Sequence, residues 1–240
     1  MKKITPYKSS DNKKKQVIKM FNNIAKKYDF LNHTLSLGMD YVWRKKALKK
    51  ITNNPSLILD IATGTADFAI AATKVTKAKI IGIDISQNML DIGIDKIEKK
   101  KISDRIKLLN ADCENLPFED NKFDAVTAGF GVRNFENLET GLKEIYRVVK
   151  KEGIVTIIEP STPSNFILKP IYKFYFKYIL PIIGRLISKD KSAYTYLPES
   201  VEAFPEGDIF IKILEKTGFK DCQKIELSFG IVTLYVAIKS

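Results

Sequence analysis

The stretch Ser56–Phe68, SLILDIATGTADF, decides how the chain is read. Its first part, Ser56–Ile61, is a short apolar run suited to a strand buried on both faces, with Asp60 at its end. A turn built on small residues follows, with Ala62, Gly64 and Ala66 letting backbone amides approach a ligand closely, and Asp67 is placed to start a helix. Working outward, Lys79–Asp84, Ile106–Leu109, Phe123–Ala128 and Ile154–Glu159 are further short apolar runs, with helical stretches at 67–76, 87–100 and 137–150. Such alternation predicts an α/β fold: a mostly parallel sheet with helices on both faces. Cys222–Ser228 and Val232–Lys239, separated by Phe229-Gly230-Ile231, read as an antiparallel hairpin that closes the sheet.

The 240 residues are 45% apolar and 28% charged, which is enough for a real core and excludes wholesale disorder. Two cysteines, Cys113 and Cys222, exclude a disulfide scaffold and a four-cysteine zinc site. A single histidine, His33, argues against a histidine-rich metal centre or a Ser-His-Asp triad. Lys and Arg number 40 against 28 Asp and Glu, and the net charge of +12 points to an anionic partner, nucleic acid or a membrane surface. The lysine-rich N-terminus has no apolar stretch behind its charges, so it does not read as a secretory signal, and no window is long and apolar enough to span a bilayer. The expectation is a cytoplasmic protein with reduced thiols. One domain spans 1–240: helices over 12–51 that form a lid, a ligand-binding core over 52–159, an aromatic- and proline-rich cap over 160–206, and a helix with the hairpin over 207–240.

Ligands of open α/β sheets bind beyond the carboxyl ends of the strands, and three carboxylates fall there. Asp60 closes the first strand. Asp84 closes the second, twenty positions after Gly64, the spacing at which a carboxylate accepts hydrogen bonds from ribose hydroxyls. Asp112 follows the third, where it can accept from an adenine amino group, with Met89 covering the ring face. Each Asp can instead be a helix cap or turn former. The competing dinucleotide reading lacks G-x-G-x-x-G, and Asp60 would meet a pyrophosphate with like charge. A carboxylate there suits a ligand bearing an ammonium and a sulfonium, S-adenosylmethionine.

These residues resemble the nucleotide-binding motifs of class I S-adenosylmethionine-dependent methyltransferases, whose sheet is Rossmann-like. Three further strings resemble the ubiquinone/menaquinone biosynthesis C-methyltransferases: Lys27-Tyr28-Asp29-Phe30-Leu31-Asn32 with Leu35-Ser36-Leu37-Gly38 and Trp43-Arg44; Gly129-Phe130-Gly131-Val132-Arg133-Asn134; and Tyr194-Thr195-Tyr196-Leu197-Pro198-Glu199-Ser200 with Phe204-Pro205. The resemblance covers about 16–238 and places donor binding at Thr65, Asp84, Asp112, Cys113 and Gly129. Departures are Ala66 where the family usually has Gly, Pro160 after Glu159 where it usually has Phe-Ser, and Gly129 where many relatives have Ser.

The implied reaction transfers a methyl group from sulfonium to a ring carbon of a demethylated prenyl quinol, demethylmenaquinol or a prenyl benzoquinol, with no metal or covalent nucleophile. Arg133 and Asn134, after the fourth strand, are the first catalytic candidates, Arg133 to stabilise the developing phenolate and hold a water that accepts the proton; the plainer reading of Arg133 is a salt bridge. Tyr28, Asp29 and Asn32 would fold over the site from the N-terminal helix or serve as cap and packing, and His33 reads as secondary. In 166–187, Lys169, Lys173 and Lys177 at spacings of four make a basic stripe beside aromatics, suited to transient contact with an anionic membrane surface, or to a lid packed on the sheet. An RNA acceptor, and a non-catalytic membrane-associated nucleotide binder, are the alternatives; dispersed basic residues and a lipophilic insertion weigh against nucleic acid.

Overall fold

Leu57–Ile61 forms β1, with Ile58, Leu59 and Ile61 fully buried between helices on both sides of the sheet. The computed structural model describes residues 4–163, 166, 168–175, 178 and 191–240. The other strands are β2 (Lys79–Asp84), β3 (Ile106–Asn110), β4 (Phe123–Gly129), β5 (Val149–Pro160), β6 (Phe219–Leu227) and β7 (Val232–Lys239), in the order β3-β2-β1-β4-β5-β7-β6. Strands β1 to β5 pair in parallel, and β7 runs antiparallel between β5 and β6. The strand order reverses between β1 and β4, so the carboxyl ends of β1, β2 and β4 face one crevice at the switch point.

Helices α1 (Lys13–Leu35) and α2 (Met39–Leu48) precede the sheet; α3 (Asp67–Thr73), α4 (Gln87–Lys99) and α5 (Leu138–Val148) are its crossovers. Beyond β5 lie α6 (Leu168–Phe174), α7 (Lys191–Ala203) and α8 (Asp208–Thr217). One core layer packs α5 and α8 on the sheet through Leu142, Ile145, Phe210 and Leu214, and another packs α2 and α3 on the opposite face through Trp43, Ala47, Phe68 and Ala69. Each such fully buried leucine, isoleucine or phenylalanine contributes on the order of 1.5–3 kcal/mol. α1 is started by Asn12, whose side chain accepts from Lys15 N at 3.0 Å, and its buried face of Val17, Met20, Ile24 and Leu31 closes a third cluster over the crevice.

Boundaries differ from the sequence reading by more than one residue chiefly at three places. The helix expected over 137–150 stops at Val148, because Val149 pairs with Phe123 and begins β5. The helix expected over 67–76 ends at Thr73. The first hairpin strand starts at Phe219 rather than Cys222, with a register shift between Lys220 and Gln223 that a period-two pattern does not carry. Of the stripe expected over 166–187, Lys177 and the side chain of Lys173 lie outside the described residues, as do 179–187. Among the described residues no helix is long and apolar enough to cross a membrane.

Candidate active site

Two adjoining cavities occupy the crevice. The first is lined by Asp84, Asp112, Cys113, Met89 and the backbone of Gly64 and Gly129, and is roofed by Lys14, Val17 and Phe21 of α1. The β1–α3 turn makes its floor with two left-handed residues, Ala62 at φ 50° and Gly64 at 56°, and a third, Ala66 at 67°, is buried at the start of α3. Gly64 N donates to Asp84 Oδ2 at 2.9 Å and Ser86 N to Oδ1 at 2.8 Å, so the carboxylate that ends β2 is held by the turn after β1 and by the start of α4. Burial pushes the Asp84 carboxyl up to about 6 despite those hydrogen bonds. Asp112 Oδ1 accepts from Glu114 N at 2.9 Å, and Oδ2 takes Lys14 Nζ at 2.6 Å. The Cys113 thiol is raised by burial and then by Asp112, which keeps it protonated and leaves it a small wall residue.

The second cavity, of about 660 Å³, is predominantly apolar, lined among others by Met20, Ile24, Leu31, Trp43, Tyr172 and Tyr196. Phe21, Tyr28, Phe130 and Asn134 line both cavities and mark where they meet. Among the described residues, the buried Asn134 Oδ1 has no hydrogen-bond partner, and neither has the Tyr196 hydroxyl. Burial raises the Tyr28 phenol, and Asn32 and Arg133 only partly offset it, so its hydroxyl stays a donor. Arg133 lines the second cavity but is not free: Nη1 donates to the buried Glu159 carboxylate at 2.8 Å and to the Phe130 carbonyl, while Nε is buried without a partner among the described residues. The plain salt bridge is therefore present, at the wall of the cavity.

Three expected site residues face elsewhere. The Asp60 carboxylate turns back into the sheet, accepting from Thr127 Oγ1 at 2.6 Å and from Thr63 Oγ1; burial raises it to about 6, and it lines neither cavity. Thr65 Oγ1 donates to Asp29, and Asp29 also holds Lys96 Nζ at 2.8 Å, so both serve a network under α1. Lys96 pairs with Asp67 there as well, and His33 bridges Asp40 at 2.8 Å and Asp67 at 3.5 Å. The network pins α1 to α3 and α4.

A family profile described as the ubiE/COQ5 methyltransferase family matches residues 8–239. The chain belongs to this family. It is accordingly an S-adenosylmethionine-dependent methyltransferase. It is 46% identical to the demethylmenaquinone methyltransferase of Bacteroides fragilis, over 99% of this chain and 98% of the relative. Identity is 42% to the protein of the same name from Porphyromonas gingivalis, with coverage of 99% and 98%. It is 46% to the ubiquinone/menaquinone biosynthesis C-methyltransferase of Geotalea daltonii, with coverage of 95% and 97%. The fold is shared with solved S-adenosylmethionine-dependent methyltransferases of Thermotoga maritima (TM-score 0.65, 20% identity, 92% of this chain and 99% of that one) and Aquifex aeolicus (0.61, 18%, 84% and 92%).

In this methyltransferase the sequence reading set a lid over 12–51 and Tyr28 over the site, but did not name Lys14, Val17 and Phe21 as lining the first cavity. Lys14, Phe21 and Tyr28 recur at intervals of seven along α1, with Val17 between, and that stripe faces the first cavity while Met20, Ile24 and Leu31 face the second. The heptad spacing was the available signal. Phe130 was also missed as a wall of both cavities; it sits at φ 64°, a left-handed conformation that aims its ring away from the strand direction, and nothing in its residue type announces that.

Proposed function

We propose that the enzyme methylates a ring carbon of a demethylated prenyl quinol, demethylmenaquinol in the first place, drawn from a membrane. The observation that carries this is the large apolar cavity opening onto the carboxylate-lined one through Tyr28, Phe130 and Asn134. A polar or nucleic-acid acceptor has no use for such a chamber, whereas a fused ring and the first units of a prenyl tail fill it. The names of the relatives agree with this acceptor.

The first cavity fits the donor. Asp84 keeps lone pairs for two ribose hydroxyls, Asp112 for an amino group, and Met89 supplies an apolar face. A Cβ on Gly129 would stand 3.0 Å from the Phe68 ring, whereas at Gly64 the nearest atom would be Tyr28 Cε1 at 3.9 Å. Backbone therefore walls the cavity at both places. When bound, S-adenosylmethionine supplies an electrophilic methyl group. The chain's own residues then align and activate the acceptor. The orphaned Asn134 amide oxygen accepts from the acceptor's phenolic O–H and turns the ring so that the carbon ortho to it faces the first cavity. Tyr28, a protonated phenol at the junction, donates to the same oxygen as it becomes phenolate. Arg133, held by Glu159, adds a fixed positive charge beside it. In balance, the phenolic proton would pass to solvent water, the ring carbon would gain the methyl as its bond to sulfur breaks and the donor is left as a neutral thioether, and loss of the ring proton would restore the aromatic O–H, so that C–H becomes C–CH₃ with one proton released.

The test is turnover on short-chain demethylmenaquinol and the matching benzoquinol, with mass detection of the methylated ring. Product from the naphthoquinol is expected; none from either ring refutes the proposal.

A further inference from the structure

The mouth of the apolar cavity is built like a surface that meets a bilayer. Leu37 and Met39 line the cavity and are nevertheless 89% and 38% exposed, so the α1–α2 turn is its rim. Across the rim stands Phe229, 80% exposed, in the turn between β6 and β7, and Trp43 Nε1 donating to Ser228 Oγ at 2.8 Å fastens α2 to that turn. Leu37 and Phe229 are both held left-handed, at φ 52° and 59°. Bulky side chains rarely adopt this conformation, and here two of them use it to project apolar tips into solvent.

The outward face of α2 continues from that rim. Positions 41, 42, 45, 46, 49 and 50 are exposed while 43, 44, 47 and 48 are buried, so Tyr41 and Val42 are followed along one face by Lys45, Lys46, Lys49 and Lys50. Among the described residues none of these four lysines is in an ion pair. We propose that the α1–α2 turn, the Phe229 turn and the lysine face of α2 form a docking surface for an anionic lipid bilayer, with the cavity mouth set against the membrane. Apolar tips enter the headgroup boundary and the lysines meet anionic lipid. A second copy of the chain is the poorer occupant, because a two-fold contact through this face sets four lysines against four. The proposal rests on the quinol reading for the cargo that passes through the mouth.

The experiment is sedimentation of the full chain with phosphatidylglycerol-containing and with pure phosphatidylcholine vesicles, at low and high salt. Two variants accompany it: Phe229→Asn, since asparagine tolerates the left-handed turn, and K45Q/K46Q/K49Q/K50Q. Wild type is expected to bind the anionic vesicles at least about tenfold better than the neutral ones, with the preference fading in high salt. Each variant should lower that binding at least about fivefold while methylation of a water-soluble short-chain quinol is unchanged. Equal binding to both vesicles, variants that bind as wild type, or a dimer that the four-glutamine variant dissociates overturns the docking surface. Vesicle binding without any quinol methylation leaves the docking and refutes the acceptor; methylation without vesicle binding does the reverse.

Discussion

Lowering the pH from 7 to 5 is expected to weaken donor binding about tenfold through one carboxylate, Asp84. Burial raises this group to about 6 from its ordinary 3.8, and the hydrogen bonds from Ser86 N, Gly64 N and Ile85 N only partly restore the anion. If the ribose hydroxyls require the ionised form, the fraction competent at pH 5 is about one in eleven and the apparent Kd rises about elevenfold; at pH 7 the correction is about 10%. The assay is calorimetric titration of the demethylated donor, S-adenosylhomocysteine, between pH 5 and 7.5, with Asp84→Asn alongside. That variant should bind weakly throughout, without the pH dependence. Unfolding does not imitate the effect. A carboxyl raised in the folded state contributes stability that is complete below its unfolded value near 4 and is lost as pH rises through about 6, so acidification to pH 5 favours the fold at Asp84. Asp124, lowered by Lys150 and by donors on Ser56 and Leu57 in spite of partial burial, loses its contribution only as pH falls below about 4. An affinity constant within twofold from pH 5 to 7.5, or an Asp84→Asn variant with the wild-type slope, refutes the reasoning.

Other perturbations follow from the same geometry. Arg133→Ala leaves the Glu159 carboxylate, 1% exposed, without its partner and should cost about 3–5 kcal/mol in urea unfolding, with R133A/E159Q recovering part of it; a loss under 1 kcal/mol shows that the pair is not a buried one. At saturating donor, Arg133→Ala should also cut turnover, and near-normal turnover removes it from the chemistry. Gly131→Ala would set its Cβ 2.4 Å from that of Ala62, in the left-handed floor of the first cavity, so S-adenosylhomocysteine affinity should fall at least about tenfold with a stability loss of about 1–3 kcal/mol. Trp43→Phe removes the hydrogen bond to Ser228 and should lower stability by about 1–2 kcal/mol in thermal unfolding; an unchanged midpoint means that the bond contributes nothing.

The parallel half of the sheet was legible because each strand is an uninterrupted apolar run bounded by small or polar residues, and a strand buried on both faces needs that composition. Asp84 and Asp112 were legible for the same reason, since a carboxylate at the end of such a strand emerges at the crevice. Asp60 obeyed the same rule and still faces inward. What separates it is two threonines, Thr63 three residues on and Thr127 on the neighbouring strand, whose hydroxyls take its lone pairs. Register between β1 and β4, which sets Asp60 beside Thr127, is a tertiary fact that one strand's residues do not contain. Thr65 and Asp29 were expected at the site and face elsewhere for a like reason, because Lys96 of α4 draws them into an ion network only once α1 has packed on α4. The junction residues Tyr28 and Asn134 were named from the sequence, since they stand in strings that resemble the family's.

α1 has 23 residues, so it is about 34 Å long, and its length has a consequence for both ligands. One rod lines both cavities, its Lys14, Phe21 and Tyr28 stripe facing the first and Met20, Ile24 and Leu31 the second, while the ion network clips its far end to the turn beneath the first. A shift of this rod that widened one cavity would change the room in the other, so binding of S-adenosylhomocysteine is expected to alter the affinity measured for the acceptor.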